Sequence, residues 1–303
     1  MYVASHENQR YRDWQQESAK NGRCFRLQTY KSLRLAMFSS LAVQSFRLNS
    51  ELFFFFFTGW LIWIMTATSY PSVRPYTPLL LYLYDKFILY FNMDYAWKCS
   101  TSKSLLPLFS ENFSSNHLDI GVATGYFPAT ALDSFVDKRQ RKQQYLTLVD
   151  LDANSLHVAT HRVMSRAPDT EVTCIQADAT APSPAVLRTK RFKSISMMNI
   201  LHCIPRPISK KAVALQNYAP LLDDDGVFFG STVLGYNCEV AKRLDRSWFC
   251  YFYMMFINWC GYFDNWEDGT EVVHDALREV FEEVDTWIVG SILLFKARKP
   301  IRQ

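Results

Sequence analysis

His117-Leu118-Asp119-Ile120-Gly121-Val122-Ala123-Thr124-Gly125 is the stretch whose reading decides the fold. His117–Gly121 reads as a short strand, and two of the chain's ten glycines then fall four residues apart. Phe127, Ala131, Leu132, Phe135 and Val136 follow at helical spacing. The order is therefore strand, glycine turn, helix. Glycine allows a tight turn and lets a ligand approach the backbone closely, while the helix start behind it presents unpaired N–H groups. The spacing G-x-G-x-x-G is absent, which disfavours a nicotinamide or flavin site. Asp119, just before the turn, would repel a pyrophosphate and suits a ligand with a cationic or hydrogen-bond-donating group.

The same alternation continues outward. The polar run Lys138–Gln144 separates this unit from a second strand, Tyr145–Asp150, and Leu156, Ala159, Val163 and Met164 mark the next helix. Strands are expected over Glu171–Gln176 and Lys193–Asn199, and the stripe Ala212, Leu215, Ala219, Leu222 marks a helix. Asp223-Asp224-Asp225-Gly226 reads as a turn before a fifth strand, Val227–Val233. Val273, Leu277, Val280 and Phe281 stripe a last helix, and two β-prone runs, Val284–Val289 and Ser291–Arg298, meet at Gly290. Alternating elements imply a parallel sheet covered by helices. The last two runs are too close for a parallel crossover and form an antiparallel hairpin. The expected fold is α/β: a seven-stranded doubly wound sheet, six strands parallel and one antiparallel. Ligands bind such sheets beyond the carboxyl ends of the strands.

The chain has 303 residues, 49% of them hydrophobic. That suffices for one large domain, or a domain with an extension, and excludes disorder. Residues 1–73 hold eight Lys/Arg against four Asp/Glu, whereas the remaining 230 residues hold 25 of each sign. The body thus lacks the basic excess of a protein that binds nucleic acid by neutralising phosphates, and no nucleic-acid partner is expected. Seven cysteines without a C-x-x-C pair, and scattered histidines, predict neither a disulfide framework nor a metal site. Such thiols suit a cytoplasmic protein.

Residues 52–73 carry no charge, and 52–68 are almost wholly apolar. A transmembrane helix needs about 17–25 such residues, so 52–68 is a candidate membrane contact. It begins too far from Met1 for a signal peptide. Basic residues before it would place the body across the membrane, where reduced thiols are not expected. Pairing with the apolar run Leu35–Phe46 would instead make a hairpin that returns to the cytoplasmic side. The alternatives are a soluble extension packed on the domain, or a stretch outside the working protein.

Three acidic residues follow three successive strands. Asp150 closes the second, placed to accept from two ribose hydroxyls, and Asp152 reads as the next helix cap. Asp178, after the third, is placed to accept from an adenine amino group. Each alone reads as a cap or turn residue; together with the glycine turn they read as one site. Asp119-x-Gly121-x-Ala123-x-Gly125, Asp150 and Asp178 resemble the ligand-binding motifs of class I S-adenosylmethionine-dependent methyltransferases, over roughly residues 74–299. Ala123 departs from the glycine usual there. Tyr84-Asp85, Trp97-Lys98-Cys99, His117–Gly121, Asn199–Pro205 and Gly226–Thr232 resemble the small-molecule, natural-product branch of that family.

The resemblance implies a Rossmann-like methyltransferase domain over 74–303 behind an N-terminal helical extension, residues 1–73. It implies S-adenosyl-L-methionine as cofactor and a small, largely apolar metabolite as substrate, in secondary metabolism. Cofactor contacts are expected from Asp119, Gly121, Ala123, Gly125, Asp150, Leu151, Asp178, Ala179 and Asn199, the last serving the methionine end or the substrate. His202, just past the fourth strand, is the expected catalytic base; the alternative is a structural histidine bonded to a neighbouring turn. Phe249–Trp266, nine of eighteen residues aromatic, reads as an apolar cleft, as buried packing or as a dimer surface. Tyr84, Trp97 and Lys98 are expected on a helix covering the cofactor, with Lys98 available to a carboxylate. Two other functions compete: a cofactor-binding protein of this fold without methyl transfer, and a membrane-associated interaction protein.

Overall fold

The computed structural model describes residues 85–134, 143–236 and 248–302. The segment 52–68, the rest of the extension and Tyr84 lie outside the described residues, as do Phe135 and Val136. Among the described residues no helix is long and apolar enough to cross a membrane.

Seven strands form one sheet: β1 (Asn116–Ile120), β2 (Tyr145–Asp150), β3 (Glu171–Gln176), β4 (Phe192–Met198), β5 (Leu222–Val233), β6 (Phe281–Val289) and β7 (Ile292–Pro300). Their order is β3-β2-β1-β4-β5-β7-β6. The first five run parallel, and β7 is antiparallel to both its neighbours. Six strands therefore share one direction and one is reversed, as the pattern of the sequence implies. The helices are α1 (Asp85–Ala96, π-wound), α2 (Leu106–Asn112), α3 (Tyr126–Ser134), α4 (Ala153–Arg166), α5 (Ala185–Arg188), α6 (Ser209–Tyr218), α7 (Trp248–Trp259) and α8 (Thr270–Arg278).

Side chains alternate across a strand, and the two faces of this sheet differ chemically. Leu118, Ile120, Ile195, Met197 and Phe228 join Leu215 and Tyr218 of α6 and Val273 and Leu277 of α8 in an apolar core. The opposite face of β1 and β4 carries His117, Asp119, Ser194 and Ser196, all buried. Phe109 of α2, Phe113, Phe127 of α3 and Phe229 of β5 form an aromatic cluster that includes His117. A polar stripe is thus sealed beneath aromatic rings.

Three boundaries differ from expectation. The run Asp223–Gly226 is no turn before β5 but an irregularity within it: Phe192 pairs with Leu222, and two residues later Ser194 pairs with Val227. Leu222 is fully buried, so the strand starts before the acidic run. The guanidinium of Arg302 donates to the Leu222 and Pro220 carbonyls and to Asp224. The α6 stripe ends at Tyr218, and Ala219–Leu221 tighten into a 3₁₀ turn. Val280 and Phe281 fall outside α8. Phe281 opens β6, where it pairs with Pro300 and lies against Phe228. Spacings of three and four cannot separate a last helical turn from a strand start.

Gly230 sits mid-strand between Met197 and Phe295. A Cβ there would lie 2.2 Å from the Met197 carbonyl and 2.5 Å from the Phe295 ring. Gly230→Ala should therefore destabilise the fold by about 1–3 kcal/mol, read as a lowered urea midpoint at unchanged slope.

Candidate functional site

The glycine turn is shaped by three residues in the left-handed region: Gly121, Ala123 and Gly125, at φ of 77°, 49° and 69°. Gly121 donates its N–H to the Val149 carbonyl at 2.7 Å. Gly125 lies against α4, where a Cβ would come 2.8 Å from the Ala159 Cα, so this position has no room for a side chain. Ala123 takes the left-handed conformation without being glycine. Its N–H donates to Asp150 Oδ2 at 3.0 Å.

Asp150 ends β2 beside that turn, and its Oδ1 accepts from the Asp152 N–H at 2.9 Å. Burial pushes its carboxyl up, against the opposing pull of these backbone donors. Each oxygen keeps lone-pair capacity for a further donor. Asp152 caps α4 through the Asn154 N–H, as expected. Leu151 is 45% exposed, an apolar surface beside the carboxylate. Asp178 follows β3 and accepts from the Thr180 N–H and hydroxyl, both at 2.8 Å. Ala179 next to it is buried.

Asn199 follows β4 with φ of 55°. Its Oδ1 accepts from Ser231 at 2.9 Å, while its buried Nδ2 has no partner. An unsatisfied buried donor costs about 1–3 kcal/mol. Asp119, at the end of β1, is 3% exposed and accepts from Ser196 Oγ at 2.6 Å. Burial pushes it up to about 7, Ser196 pulls it down, and Asp150 raises it.

His202 lies in the short turn after β4, buried. Its Nδ1 accepts from the Val233 N–H at 3.1 Å, which leaves the proton of the neutral ring on Nε2. Burial and Lys211 push it down to about 3. Its one lone pair is engaged, an arrangement that matches the alternative reading of a histidine bonded to neighbouring structure. Phe263 lies against it, ring centroids 4.1 Å apart. Trp97 neighbours Phe263 and Tyr253 at 6.0 and 5.5 Å, and Asn92 Nδ2 donates to the Tyr253 hydroxyl at 2.6 Å. Asn92 Oδ1 is buried without a partner.

The aromatic stretch from Phe249 to Trp266 divides. Tyr253, Met254 and Ile257 face inward, while Phe252, Met255 and Trp259 are exposed. Trp97 and Lys98 follow α1 rather than lying on it. Trp97 is buried, and its carbonyl accepts from the Ser291 N–H at 2.7 Å in the β6–β7 turn.

Sequence reasoning missed two groups. Thr124 of the glycine turn donates to Asp85 Oδ1 at 2.7 Å and accepts from Arg162 at 3.0 Å; Arg162 also pairs with Asp85. This triad fastens α1 and α4 to the turn, and no local pattern signals it. The second is the His117–Ser196 pair behind Asp119, whose signal is polar residues alternating on two adjoining strands. His157 and His161 stand four apart on α4, a spacing that suits two ligands of one metal. No group of three metal-ligating side chains exists among the described residues.

No family model matches the chain. It is 41% identical to the O-methyltransferase NEC2 of Pyricularia oryzae over 254 residues, covering 76% of this chain and 93% of that protein. It is 40% identical to the methyltransferase ctvB of Aspergillus terreus over 229 residues, covering 75% and 93%. The chain belongs to the class I S-adenosylmethionine-dependent methyltransferases. The structure of an O-methyltransferase family protein from Burkholderia thailandensis has the same fold, with a TM-score of 0.50 at 12% identity over 81% of this chain and 69% of that one. This methyltransferase acts on a small organic metabolite and uses S-adenosylmethionine. The residues present fit that cofactor: an unpartnered Asn199 amide, spare acceptor capacity on Asp150, apolar Leu151 and the glycine turn all stand at the carboxyl ends of neighbouring strands β1, β2 and β4.

His202 is neutral when folded and charges readily when unfolded. Its folded value lies below 6.5, so its contribution is complete above pH 6.5 and is lost as pH falls towards 3. The stability gap between parent and His202→Gln should narrow by about 1.4 kcal/mol per pH unit below 6.5, measured by urea titration.

Proposed function

We propose that the enzyme transfers a methyl group to an oxygen nucleophile on a small, largely apolar metabolite of secondary metabolism. The observation that carries this is the aromatic group Trp97, Tyr253 and Phe263 beside Asn92. A substrate hydroxyl donating to Asn92 Oδ1 would satisfy that buried acceptor. The name of the 41% identical relative, O-methyltransferase NEC2, supports oxygen as the accepting atom. A cytoplasmic enzyme is supported by free thiols at Cys99, Cys174 and Cys203. We take residues 74–303 as the catalytic domain and 1–73 as an extension, with 52–68 its candidate membrane contact.

S-adenosylmethionine supplies an already activated methyl group when bound. The chain's task is then alignment, which is worth up to about 7–11 kcal/mol of barrier. In this reading Asp150 accepts from the ribose hydroxyls, with Leu151 and Ala179 beside the adenine and Asp178 accepting from its amino group. Asn199 Nδ2 and Asp119 hold the methionine end. The trio Gly121, Ala123 and Gly125 turns the backbone tightly, in the left-handed region, against Ile200 and Ala159, and so sets the path of the turn beside the ligand. His202 offers an Nε2–H donor in the substrate wall, since its lone pair is occupied and its basicity is low.

Calorimetric titration of S-adenosylmethionine into residues 74–303 should show binding, weakened about 10- to 150-fold by Asp150→Ala through loss of charge-assisted hydrogen bonds. Equal affinity in the variant would remove Asp150 from the site. Incubation with a panel of small phenols should give O-methyl products by mass spectrometry; methylation only at nitrogen or carbon would refute the oxygen reading. Asn92→Ala should raise the acceptor KM by roughly 5- to 10-fold while leaving cofactor affinity unchanged.

A further inference from the structure

Behind the cofactor edge runs a buried row of hydrogen bonds. Asp119 Oδ1 meets Ser196 Oγ at 2.6 Å, Ser196 Oγ meets His117 Nε2 at 3.0 Å, and His117 Nδ1 meets Ser194 Oγ at 2.7 Å. Ser194 Oγ meets Ser114 Oγ at 2.6 Å, and Ser114, half-buried, also donates to the Asn116 carbonyl. His117, Ser194 and Ser196 are fully buried. The row thus joins Asp119 to the opposite end of β1.

Its donors and acceptors close in two ways. With Asp119 ionised, Ser196 donates to it, His117 Nε2–H donates to Ser196, and Ser194 donates to Nδ1. With Asp119 protonated, each bond reverses: Asp119 donates to Ser196, Ser196 to Nε2, Nδ1–H to Ser194, and Ser194 to Ser114. Both arrangements satisfy every group, because a neutral imidazole always offers one donor and one acceptor. Burial holds His117 neutral by pushing it down to about 3.

We propose that His117 is a positioning residue for Asp119, switching between its two neutral tautomers as Asp119 gains or loses a proton. The conversion is balanced. The Ser196 proton passes to Asp119, the Nε2 proton to Ser196, the Ser194 proton to Nδ1 and the Ser114 proton to Ser194; Ser114 takes one proton from a solvent hydronium ion, which is left as water. The net change is one proton added to one carboxylate, without opening the ligand side. Around this row, Asp150 from β2 is the second carboxyl acting on Asp119. The other side chains against His117 are Phe109, Phe113 and Phe229, which do not titrate. A cationic ligand group at Asp119 would favour the ionised arrangement.

Nitrogen-15 NMR of the ligand-free full chain, labelled at histidine, reads the tautomer directly. His117 should pass from Nε2–H above pH 8 to Nδ1–H below pH 6. One tautomer across that range overturns the proposal. A second arm, which rests on the methyltransferase reading, follows S-adenosylmethionine affinity with pH. Ser196→Ala should move the break in that profile upward by about one pH unit or more, since it removes a bond to the charged form; His117→Ala should displace the break as well, and His117→Gln, which keeps a donor and an acceptor, should restore one near the parent's. An unmoved profile in Ser196→Ala overturns the coupling. A chain that binds no cofactor at any pH would refute the methyltransferase reading, and the tautomer measurement would still decide this one.

Discussion

The hydrogen bond from the Ala123 amide to the Asp150 carboxylate joins two turns that the sequence holds 27 residues apart. It is the hinge of the site because everything nearby is set from its two ends. On one side, Gly121 is tied to Val149 and Gly125 is pressed on Ala159, so the turn has a single path. On the other, the Asp152 amide takes the second oxygen of Asp150 and begins α4. A carboxylate that organises backbone is thereby held in a single orientation, with both of its oxygens fixed by amides.

The sheet sets this hinge between unlike surroundings. Its apolar face packs as an ordinary core on α6 and α8. The face beneath Phe109 and Phe113 instead buries a carboxyl, an imidazole and two hydroxyls. Burying such groups is costly unless each finds a partner. Here they find one another along adjoining strands, and the aromatic rings keep water out.

Much of this was legible in the residues. Apolar and β-prone runs between helical stripes placed all seven strands, and the last hairpin's short link required the reversed strand. The three aspartates and the glycine turn stood at strand ends, where they are found. What eluded the reading was long-range. Arg162 reaches Asp85 and Thr124 from elements far apart in the chain, and no local spacing encodes that meeting. The place of His202 just past β4 was legible, but its partners were not. Only the Val233 amide on its Nδ1 reveals that its lone pair is engaged. Leu222 and Phe281 were misplaced because local periodicity ignores the burial that pulls a residue into a strand.

Trp97 is seated by the other end of the chain. Its carbonyl takes the Ser291 amide, and Gly290 passes so near that a Cβ would lie 2.2 Å from that oxygen. Synthesis runs from the N-terminus, so a nascent chain that has emerged only to residue 280 already carries the glycine turn and all three aspartates. It still lacks the turn that holds Trp97. The seat of Trp97 is therefore completed among the last events of biogenesis, and a polypeptide released early would carry the glycine turn and its aspartates with that indole still unplaced.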